Sequence, residues 1–457
     1  MSTLHSKAAH KFVSDEAKTS WHDATFWAVR HKRDDMAHGL PEWEELRQAA
    51  SEIKQHTITH LADYLKMFAD NLESRGVKVH FVSDAAEFNN TVLDILRSHN
   101  VTKMVKSKSM LTEECEMNPF LIANGIDVVE TDLGERIIQL LGSKPSHIVM
   151  PAIHLKREEV GRMFEEKGIS KEIGNYDPTY LTACARQHLR NNFIEAGAGM
   201  TGCNFGVAKT GDVVVCTNEG NADMSTAMPK LHIVAMGLEK IVPDYESLAV
   251  FQRLLCRSAT GQPTTSYTSH FRQARPGAEM HVVIVDNGRS DILADPEHWQ
   301  TLKCIRCGAC MNTCPVYRRS GGYSYTYFIP GPIGINLGML RDARKYSDNV
   351  SACSLCLSCD NVCPAEVNPG SQVYLWRQRL DSIGKASAMK KTMSKGMQCL
   401  FDHPCLYSAA LKFAPLANML PSALTDMPQV NPWSVGHAMP EFAKESFETL
   451  WKKGKVK

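Results

Sequence analysis

Two rows of cysteines at identical spacing constrain this chain more than any other feature. Both read C-x2-C-x2-C-x3-C-P: the first row is Cys304, Cys307, Cys310 and Cys314 with Pro315, and the second is Cys353, Cys356, Cys359 and Cys363 with Pro364. This is the spacing of two-cluster bacterial ferredoxins, in which four thiolates hold a cubane of iron and sulfide. The sequence therefore predicts two 4Fe-4S clusters, each of which carries one electron at a time.

The fourth cysteine of each row is expected to ligate the cluster of the other row, as in two-cluster ferredoxins. Cluster 1 then takes Cys304, Cys307, Cys310 and Cys363, and cluster 2 takes Cys353, Cys356, Cys359 and Cys314. Structural zinc also accepts four thiolates. Two duplicated rows, each with a trailing proline, favour the cubanes over zinc.

Composition excludes several classes of protein. The 51 basic and 50 acidic residues nearly cancel, so no basic excess favours nucleic acid as a partner. The first twenty residues lack the apolar core of a secretory signal, and no apolar run is long enough to span a membrane. The total of 15 cysteines is odd, which argues against a disulfide framework. We expect a cytoplasmic protein with free thiols.

The pattern along the chain predicts four segments. They are a helical arm over residues 1–75, an α/β domain over 76–295, a helical two-cluster ferredoxin domain over 296–385, and a weakly patterned tail over 386–457. The strands predicted in the α/β domain are Val77–Val82, Ile126–Glu130, His147–Met150, Val213–Cys216, His232–Met236 and Val282–Asp286. Helix starts at Asp84 and at Asp177 alternate with these strands, which predicts a largely parallel sheet.

A glycine motif resembles a dinucleotide fingerprint but lies in the wrong context. Gly197 to Gly202 reads G-x-G-x-x-G, a motif that needs a strand before it and a helix after it. Here a helix ending near Phe193 precedes the glycines, and a hairpin over 204–217 follows them. Of the nearby cysteines, Cys216 is predicted to be a small core residue, whereas Cys203 directly follows the glycine loop.

Polar residues follow several predicted strands, where open α/β sheets bind ligands. The candidates for acid–base chemistry are His154, Asp132, Glu135 and Glu219, and those for substrate binding are Lys106, Lys108, Asn221 and Arg289. The ordinary alternative is that these residues form turns and helix caps, which are rich in the same residue types. The catalytic residues therefore stay open at this point.

Several segments together resemble the LutB-type iron–sulfur protein of bacterial L-lactate utilisation. They are KSKSM (106–110), ETDLGE (130–135), PAIH (151–154), NEGN (218–221), DNGRS (286–290), the two cysteine rows, Trp433 and the closing FETLWKK. The resemblance covers nearly the whole chain. It implies a lactate-utilisation (LUD) domain similar in fold to CoA-transferase and ribose-5-phosphate isomerase-like proteins. Relatives often carry serine at the position of Cys353, which makes Cys353 the least secure cluster ligand.

The resemblance also implies a function. The chain would be the electron-transfer subunit of an L-lactate-oxidising complex that yields pyruvate, an oxidoreductase component working with a LutA-type cysteine-rich subunit and a LutC-type subunit. One alternative is a catalytic 2-hydroxy-acid dehydrogenase subunit with its own substrate site in the α/β domain. Another is a redox-responsive module that binds an organic acid or a CoA compound. The apolar stretch 406–424 is predicted to pack against its own chain, with contact to a partner or a membrane surface as the alternative.

Overall fold

A computed structural model describes residues 4–384, 388–421, 427 and 441–455 of the chain. Trp433 of the predicted tail lies outside the described residues. The chain divides into two compact units, Met1–Ser382 and Ile383–Lys457. The first three predicted segments lie in the first unit up to residue 382, and their exact boundaries stay predictions.

The helices of the first unit are α1 Leu4–Val13, α2 Glu16–His38, α3 Trp43–Thr59, α4 Leu61–Glu73, α5 Ala85–Ser98, α6 Met110–Glu114, α7 Met117–Ala123, α8 Leu133–Leu140, α9 Arg157–Glu166, α10 Pro178–Glu195, α11 Asn221–Ala227, α12 Tyr245–Thr260, α13 Arg289–Ala294, α14 Ala309–Thr313, α15 Pro315–Ser320, α16 Gly331–Ala352, α17 Ser358–Asn361 and α18 Pro369–Ser382. Short 3-10 helices cover Leu238–Lys240, Trp299–Lys303 and Gly322–Ser324.

The strands are β1 Lys78–Val82, β2 Lys103–Lys106, β3 Asp127–Glu130, β4 Ala198–Thr201, β5 Phe205–Val207, β6 Asp212–Thr217, β7 Leu231–Gly237, β8 Ile241–Val242, β9 Tyr267–Phe271 and β10 Glu279–Val285. Six of them form a parallel sheet in the order β1-β10-β7-β4-β2-β3. The other four form a mixed sheet in the order β8-β5-β6-β9, which contains the predicted hairpin as β5 and β6.

The parallel sheet is buried on both faces, as parallel sheets usually are. Successive residues of β10 point to opposite faces, so Val283 and Val285 pack with α5 while Val282 and Ile284 pack with α4. The predicted helix starts are confirmed. Asp84 caps α5 by accepting from the backbone N–H of Glu87 at 2.9 Å, and Asp177 caps α10 ahead of Pro178.

The predicted strand His147–Met150 is wrong. The residues form bends, because the Nδ1 atom of His147 accepts the backbone N–H groups of Val149 at 3.1 Å and Met150 at 3.0 Å. Those donors are therefore not available to a neighbouring strand. Burial lowers the pKa of His147 to about 3, so the ring stays neutral and accepts these bonds.

The four central residues of the glycine motif form the strand β4, and Gly197 and Gly202 flank it. Gly199 is the second residue of β4, and the helix α10 ends directly before this strand. A Cβ atom at Gly199 would lie 1.6 Å from the backbone oxygen of Ser225 in α11. The glycine therefore permits the close approach of α11 to the sheet, and the predicted absence of a strand–loop–helix context is confirmed.

The second unit contains α19 Ala388–Asp402, α20 Pro404–Phe413, a 3-10 helix over Ala414–Met419 and α21 Phe447–Lys452. Asn418 joins two of its pieces: Nδ2 donates to the carbonyl of Phe442 at 2.8 Å, and Oδ1 accepts from the N–H of the same residue at 2.9 Å. Among the described residues of the whole chain, no helix is long and apolar enough to cross a membrane.

Candidate functional site

The structure brings together the crossed set of thiols predicted for cluster 1. Cys304, Cys307, Cys310 and Cys363 line one small cavity. Burial first, and then the neighbouring Cys363 and Cys304, raise the pKa of Cys307. The chemistry of this donor set fits a cubane, because four converging thiols offer what iron requires and iron would replace their protons.

The thiols of the second set are likewise neighbours. Burial, with a smaller effect of Cys353 and Cys356, raises the pKa of Cys314 to about 11. Burial also raises the pKa of Cys359, to which Asp360, Cys310 and Cys314 contribute. Cys314 is therefore near enough to Cys353, Cys356 and Cys359 for their charges to interact, and Cys359 also interacts with Cys310 of the first set. Cys356 is solvent-exposed, whereas Cys307 of the first set is buried.

The two rows repeat one backbone geometry. The N–H of Arg306 donates to Cys304 Sγ at 3.4 Å, and the N–H of Leu355 donates to Cys353 Sγ at 3.3 Å. Arg306 and Leu355 have φ angles of 62° and 55°. These positive φ angles are unusual for residues other than glycine. The same backbone strain at matching positions therefore points a backbone N–H group towards a cysteine sulfur in each row. Hydrogen bonds to sulfur tune the reduction potentials of iron–sulfur sites.

The helical arm covers the cluster 1 cysteines. Arg33 Nη2 of α2 donates to the carbonyl of Val362 at 3.0 Å, and Arg47 Nε of α3 donates to the carbonyl of Cys363 at 2.9 Å. Both arginines are buried. The arm therefore contributes cations beside Cys363, the predicted fourth ligand of cluster 1. The sequence pattern predicted a helical arm but gave no signal for these contacts.

A larger cavity of about 380 Å³ lies at the carboxyl ends of the parallel strands. Its wall includes residues within two positions of the ends of β2, β3 and β4, namely Ser107, Asp132 and Gly202. Five of the sequence candidates line it: Lys108, Asp132, Glu219, Asn221 and Arg289. This is the edge at which open α/β sheets bind ligands.

Three other candidates do not line the cavity. Lys106 is buried and its Nζ lies 2.8 Å from Glu130 Oε1, so its charge is already balanced. Glu135 lies behind the wall, with Oε1 at 3.3 Å from Lys108 Nζ, and burial raises its pKa to about 7. His154 is held by Ser146 Oγ at 2.7 Å and Tyr323 OH at 3.0 Å, and burial lowers its pKa to about 4.

Two carboxyl groups of the wall are close enough to influence each other. Glu219 Oε2 accepts from the backbone N–H of Leu133, the residue after Asp132, at 3.2 Å. Burial and the neighbouring Asp132 raise the pKa of Glu219 to about 7. At neutral pH this side chain can therefore either donate or accept a proton, as acid–base chemistry requires.

Arg289 forms a buried ion network at the cavity. Its Nε donates to Glu239 Oε2 at 2.5 Å, and its Nη2 donates to Glu114 Oε2 at 2.9 Å. Burial alone would raise the pKa of Glu239, but Arg289, Lys240 and Arg306 lower it to about 2. The carboxylates of Glu239 and Glu114 therefore neutralise the positive charge of Arg289. This makes Arg289 a poor candidate for binding the negative charge of a substrate.

The sequence reasoning missed three donors in the same wall: Ser107, Lys240 and Arg306. The hydroxyl of Ser107 and the Nη1 atom of Arg306 are buried without a hydrogen-bond partner among the described residues. Lys240 makes no hydrogen bond or ion pair there either, although Glu239 is near enough to act on its charge. Ser107 belongs to the KSKS segment, whereas Lys240 and Arg306 belong to no sequence motif.

Cys216, which was predicted to be a core residue, also lines the cavity, together with Cys203 and Cys256.

The two cavities adjoin one another. Ile148 lines both of them, and Arg306 of the larger cavity is two residues from Cys304 of the smaller one. The irregular segment that replaces the predicted strand His147–Met150 supplies this contact. A ligand in the larger cavity would therefore lie beside the loop that holds cluster 1.

Comparison with known proteins agrees with this architecture. Residues 65–292 match the LUD domain, residues 300–367 match a 4Fe-4S dicluster domain, and residues 380–456 match the C-terminal domain of lactate utilisation protein B. Lactate utilization protein B of Shouchella clausii is 41% identical, over 90% of this chain and 89% of its own. The chain belongs to the lactate utilization protein B family.

Other relatives include lactate utilization protein B of Bacillus cytotoxicus, 40% identical over 91% of this chain and 90% of its own. The uncharacterized electron transport protein YkgF of Escherichia coli is 38% identical over 92% of this chain and 90% of its own. A solved structure of a DUF162 family protein from Deinococcus radiodurans covers 49% of this chain and 98% of its own at 15% identity, with a TM-score of 0.28. That score is too low to show a shared fold. Family and dicluster domain together support an iron–sulfur electron-transfer role in lactate utilisation.

Proposed function

We propose that this chain is the iron–sulfur electron-transfer protein of a multi-protein system that oxidises L-lactate to pyruvate. A LutA-type and a LutC-type protein would be its companions. The α/β domain, with its six-stranded parallel sheet, would share the fold of CoA-transferase and ribose-5-phosphate isomerase-like proteins. The observation that carries the proposal is the cavity lined by Cys304, Cys307, Cys310 and Cys363, in a chain of this family whose second set of thiols lies close by.

Two 4Fe-4S clusters would be held by these sets, Cys304, Cys307, Cys310 and Cys363 in one and Cys353, Cys356, Cys359 and Cys314 in the other. Bound clusters of this kind supply single-electron transfer. The protein contributes backbone N–H groups to the sulfurs of both sets. The arm helices α2 and α3 shield the Cys363 loop from water through Arg33 and Arg47.

The two sets differ in their surroundings, and the difference supports a direction. The Cys304 set adjoins the large cavity, whereas Cys356 of the other set is exposed to solvent. The cavity side is therefore suited to the chemistry that delivers electrons, and the exposed side is open to an acceptor protein. The exposed side, at Cys356, would face a companion protein or a further electron carrier.

The test is anaerobic reconstitution of the full chain, followed by electron paramagnetic resonance (EPR) spectroscopy. We expect dithionite to reduce the clusters, and L-lactate to reduce them once the two companions are present. The Cys307→Ser variant should lose signal, while Cys256→Ser, which changes a thiol outside both sets, should keep it. A reconstituted chain without reducible clusters would overturn the proposal. If L-lactate reduced the clusters without the two companions, the companions would not be needed to deliver electrons from lactate.

A further inference from the structure

The wall of the large cavity carries a positively charged group and hydrogen-bond donors that have no partner among the described residues of the protein. Arg289 is matched by Glu239 and Glu114. Lys240 also faces this cavity, but it makes no hydrogen bond or ion pair with the described residues. Lys240 is half-buried, and the partial loss of water around an ammonium group that has no partner costs free energy and lowers its pKa. A bound anion would remove that cost.

Two further donors in the same wall lack partners. Ser107 is 4% exposed, and its hydroxyl makes no hydrogen bond among the described residues. The Nη1 atom of Arg306 is also buried and unpaired, while its Nη2 atom lies 3.7 Å from Glu239 Oε1, beyond a normal hydrogen bond. Buried donors in native proteins are usually satisfied by protein, ordered water or a ligand, so these two groups are available to a ligand in the cavity.

The rest of the wall restricts the class of that ligand. Glu219, whose pKa is raised by burial and by the neighbouring Asp132, supplies a protonatable carboxyl group, and residues such as Ile148 and Leu255 supply apolar surface. An ammonium and a guanidinium suit a carboxylate. A hydroxyl and a protonatable carboxyl suit a neutral oxygen, either an alcohol or a carbonyl. The volume of about 380 Å³ lies in the lower part of the range for small-molecule sites.

We propose that this cavity binds a small 2-hydroxy or 2-oxo monocarboxylate, with its carboxylate at Lys240 and Arg306 and its second oxygen at Ser107. This inference rests on the proposed function and deepens it, because it places the substrate or product of lactate oxidation in this chain. The bound acid would lie next to the Cys304 loop, since Arg306 belongs to both places. The volume leaves room for acids longer than three carbons.

The test is calorimetric titration of the anaerobic, reconstituted full chain with L-lactate and with pyruvate. The matched variants are Lys240→Gln, in the 3-10 helix that follows β7, and Lys230→Gln, an exposed lysine directly before the amino end of β7. We expect Lys240→Gln to weaken binding about tenfold or more, as the loss of a charged hydrogen bond does. Lys230→Gln should bind as the unchanged chain does.

Iron content and reduction by dithionite are measured on the same samples, so that a failure of the proposed function shows separately. Absence of binding by either acid to a fully reconstituted chain would overturn the inference and leave the electron-transfer proposal intact. Equal binding by Lys240→Gln and the unchanged chain would overturn it too. If Lys240→Gln does not retain its clusters, Ser107→Ala provides the same test, since it removes only a hydroxyl.

Discussion

The backbone N–H of Arg306 donates to Cys304 Sγ over 3.4 Å, while the guanidinium of the same residue lines the large cavity. One residue therefore contacts both a predicted cluster ligand and a candidate ligand site. Its positive φ of 62° is the backbone strain that makes the first contact possible. This arrangement gives the α/β domain a direct physical connection to the ferredoxin-type domain.

A ligand bound at Arg306 should change the EPR signal of the cluster held by Cys304. Hydrogen bonds and nearby charge tune such clusters, and a carboxylate on the guanidinium would alter both. We expect pyruvate to shift the spectrum of the dithionite-reduced chain, and Arg306→Gln to abolish that shift. Arg319→Gln, which changes an exposed arginine in α15, is the control. An identical shift in Arg306→Gln would show that the ligand acts elsewhere.

The crossed ligand assignment predicts a pattern in the iron content of double variants. The unchanged chain should bind about eight iron atoms, four for each cubane, and Cys304→Ala should lose about half of them. Adding Cys363→Ala to Cys304→Ala should cost no further iron, because both residues hold the same cluster. Adding Cys314→Ala instead should remove most of the remainder.

The measurement is iron and sulfide analysis after anaerobic reconstitution, with circular dichroism to confirm folding. Cys256→Ala, a thiol outside both sets, is the control. If the Cys304→Ala and Cys314→Ala changes together cost no more iron than one alone, the fourth cysteines do not cross and each row holds its own cluster.

The features set by local rules could be predicted from the sequence. The spacing of the cysteine rows predicted the four thiols that line the smaller cavity. Capping residues at Asp84 and Asp177 predicted two helix starts, because a cap is satisfied by sequence neighbours. The polar residues after strands identified much of the cavity wall, since parallel strands end at one edge. The prediction of a strand over His147–Met150 was wrong because the side chain of His147 accepts the backbone N–H groups of Val149 and Met150, which a neighbouring strand would need.

The features set by distant contacts could not be predicted. Lys106 looked like a substrate ligand, but Glu130 on the neighbouring strand pairs with it. Lys240 and Arg306 belong to no motif, and they become candidates only because the fold brings them to one cavity. The donors Arg33 and Arg47 reach Val362 and Cys363 across more than 300 residues of sequence, a separation that no local pattern encodes.

The buried pair of Lys106 and Glu130 should be necessary for stability. Lys106→Met leaves a carboxylate that is 3% exposed without its cation, which typically costs about 3–5 kcal/mol. We expect a clearly lower thermal unfolding midpoint, and a partial recovery in the double variant with Glu130→Gln. Lys103→Met, on the same strand but paired with the exposed Glu195, should cost about 1 kcal/mol or less. Equal losses for the two lysines would contradict the role of burial.

Glu219 should make stability depend on pH. Burial and Asp132 raise its pKa in the folded chain from 4.5 to about 7, so its contribution is fully present below about pH 4.5 and is lost as pH rises through about 7. Glu219→Gln should therefore gain stability relative to the unchanged chain between about pH 5 and about pH 8, by up to about 3 kcal/mol. Unfolding midpoints at both pH values give this difference. Exposed Glu73→Gln is the control, and a pH-independent difference for Glu219→Gln would contradict the raised pKa.

The glycine motif has a packing role that two matched substitutions can test. In Gly199→Ala the new Cβ would lie 1.6 Å from the backbone oxygen of Ser225, so α11 would have to move away from β4. In Gly197→Ala the nearest atom is a methyl of Val101 at 3.1 Å, and a side chain yields more easily than a backbone. We expect Gly199→Ala to cost more than about 3 kcal/mol and Gly197→Ala about 1 kcal/mol or less.

Thermal unfolding and the yield of folded protein measure the two glycine variants. Because α11 carries Asn221 and Ala222 into the cavity wall, a displaced helix in Gly199→Ala should also weaken binding of pyruvate, whereas Gly197→Ala should leave binding unchanged. Similar stability for both variants would show that α11 approaches the sheet less closely than the structure has it. The motif would then need an explanation other than close packing.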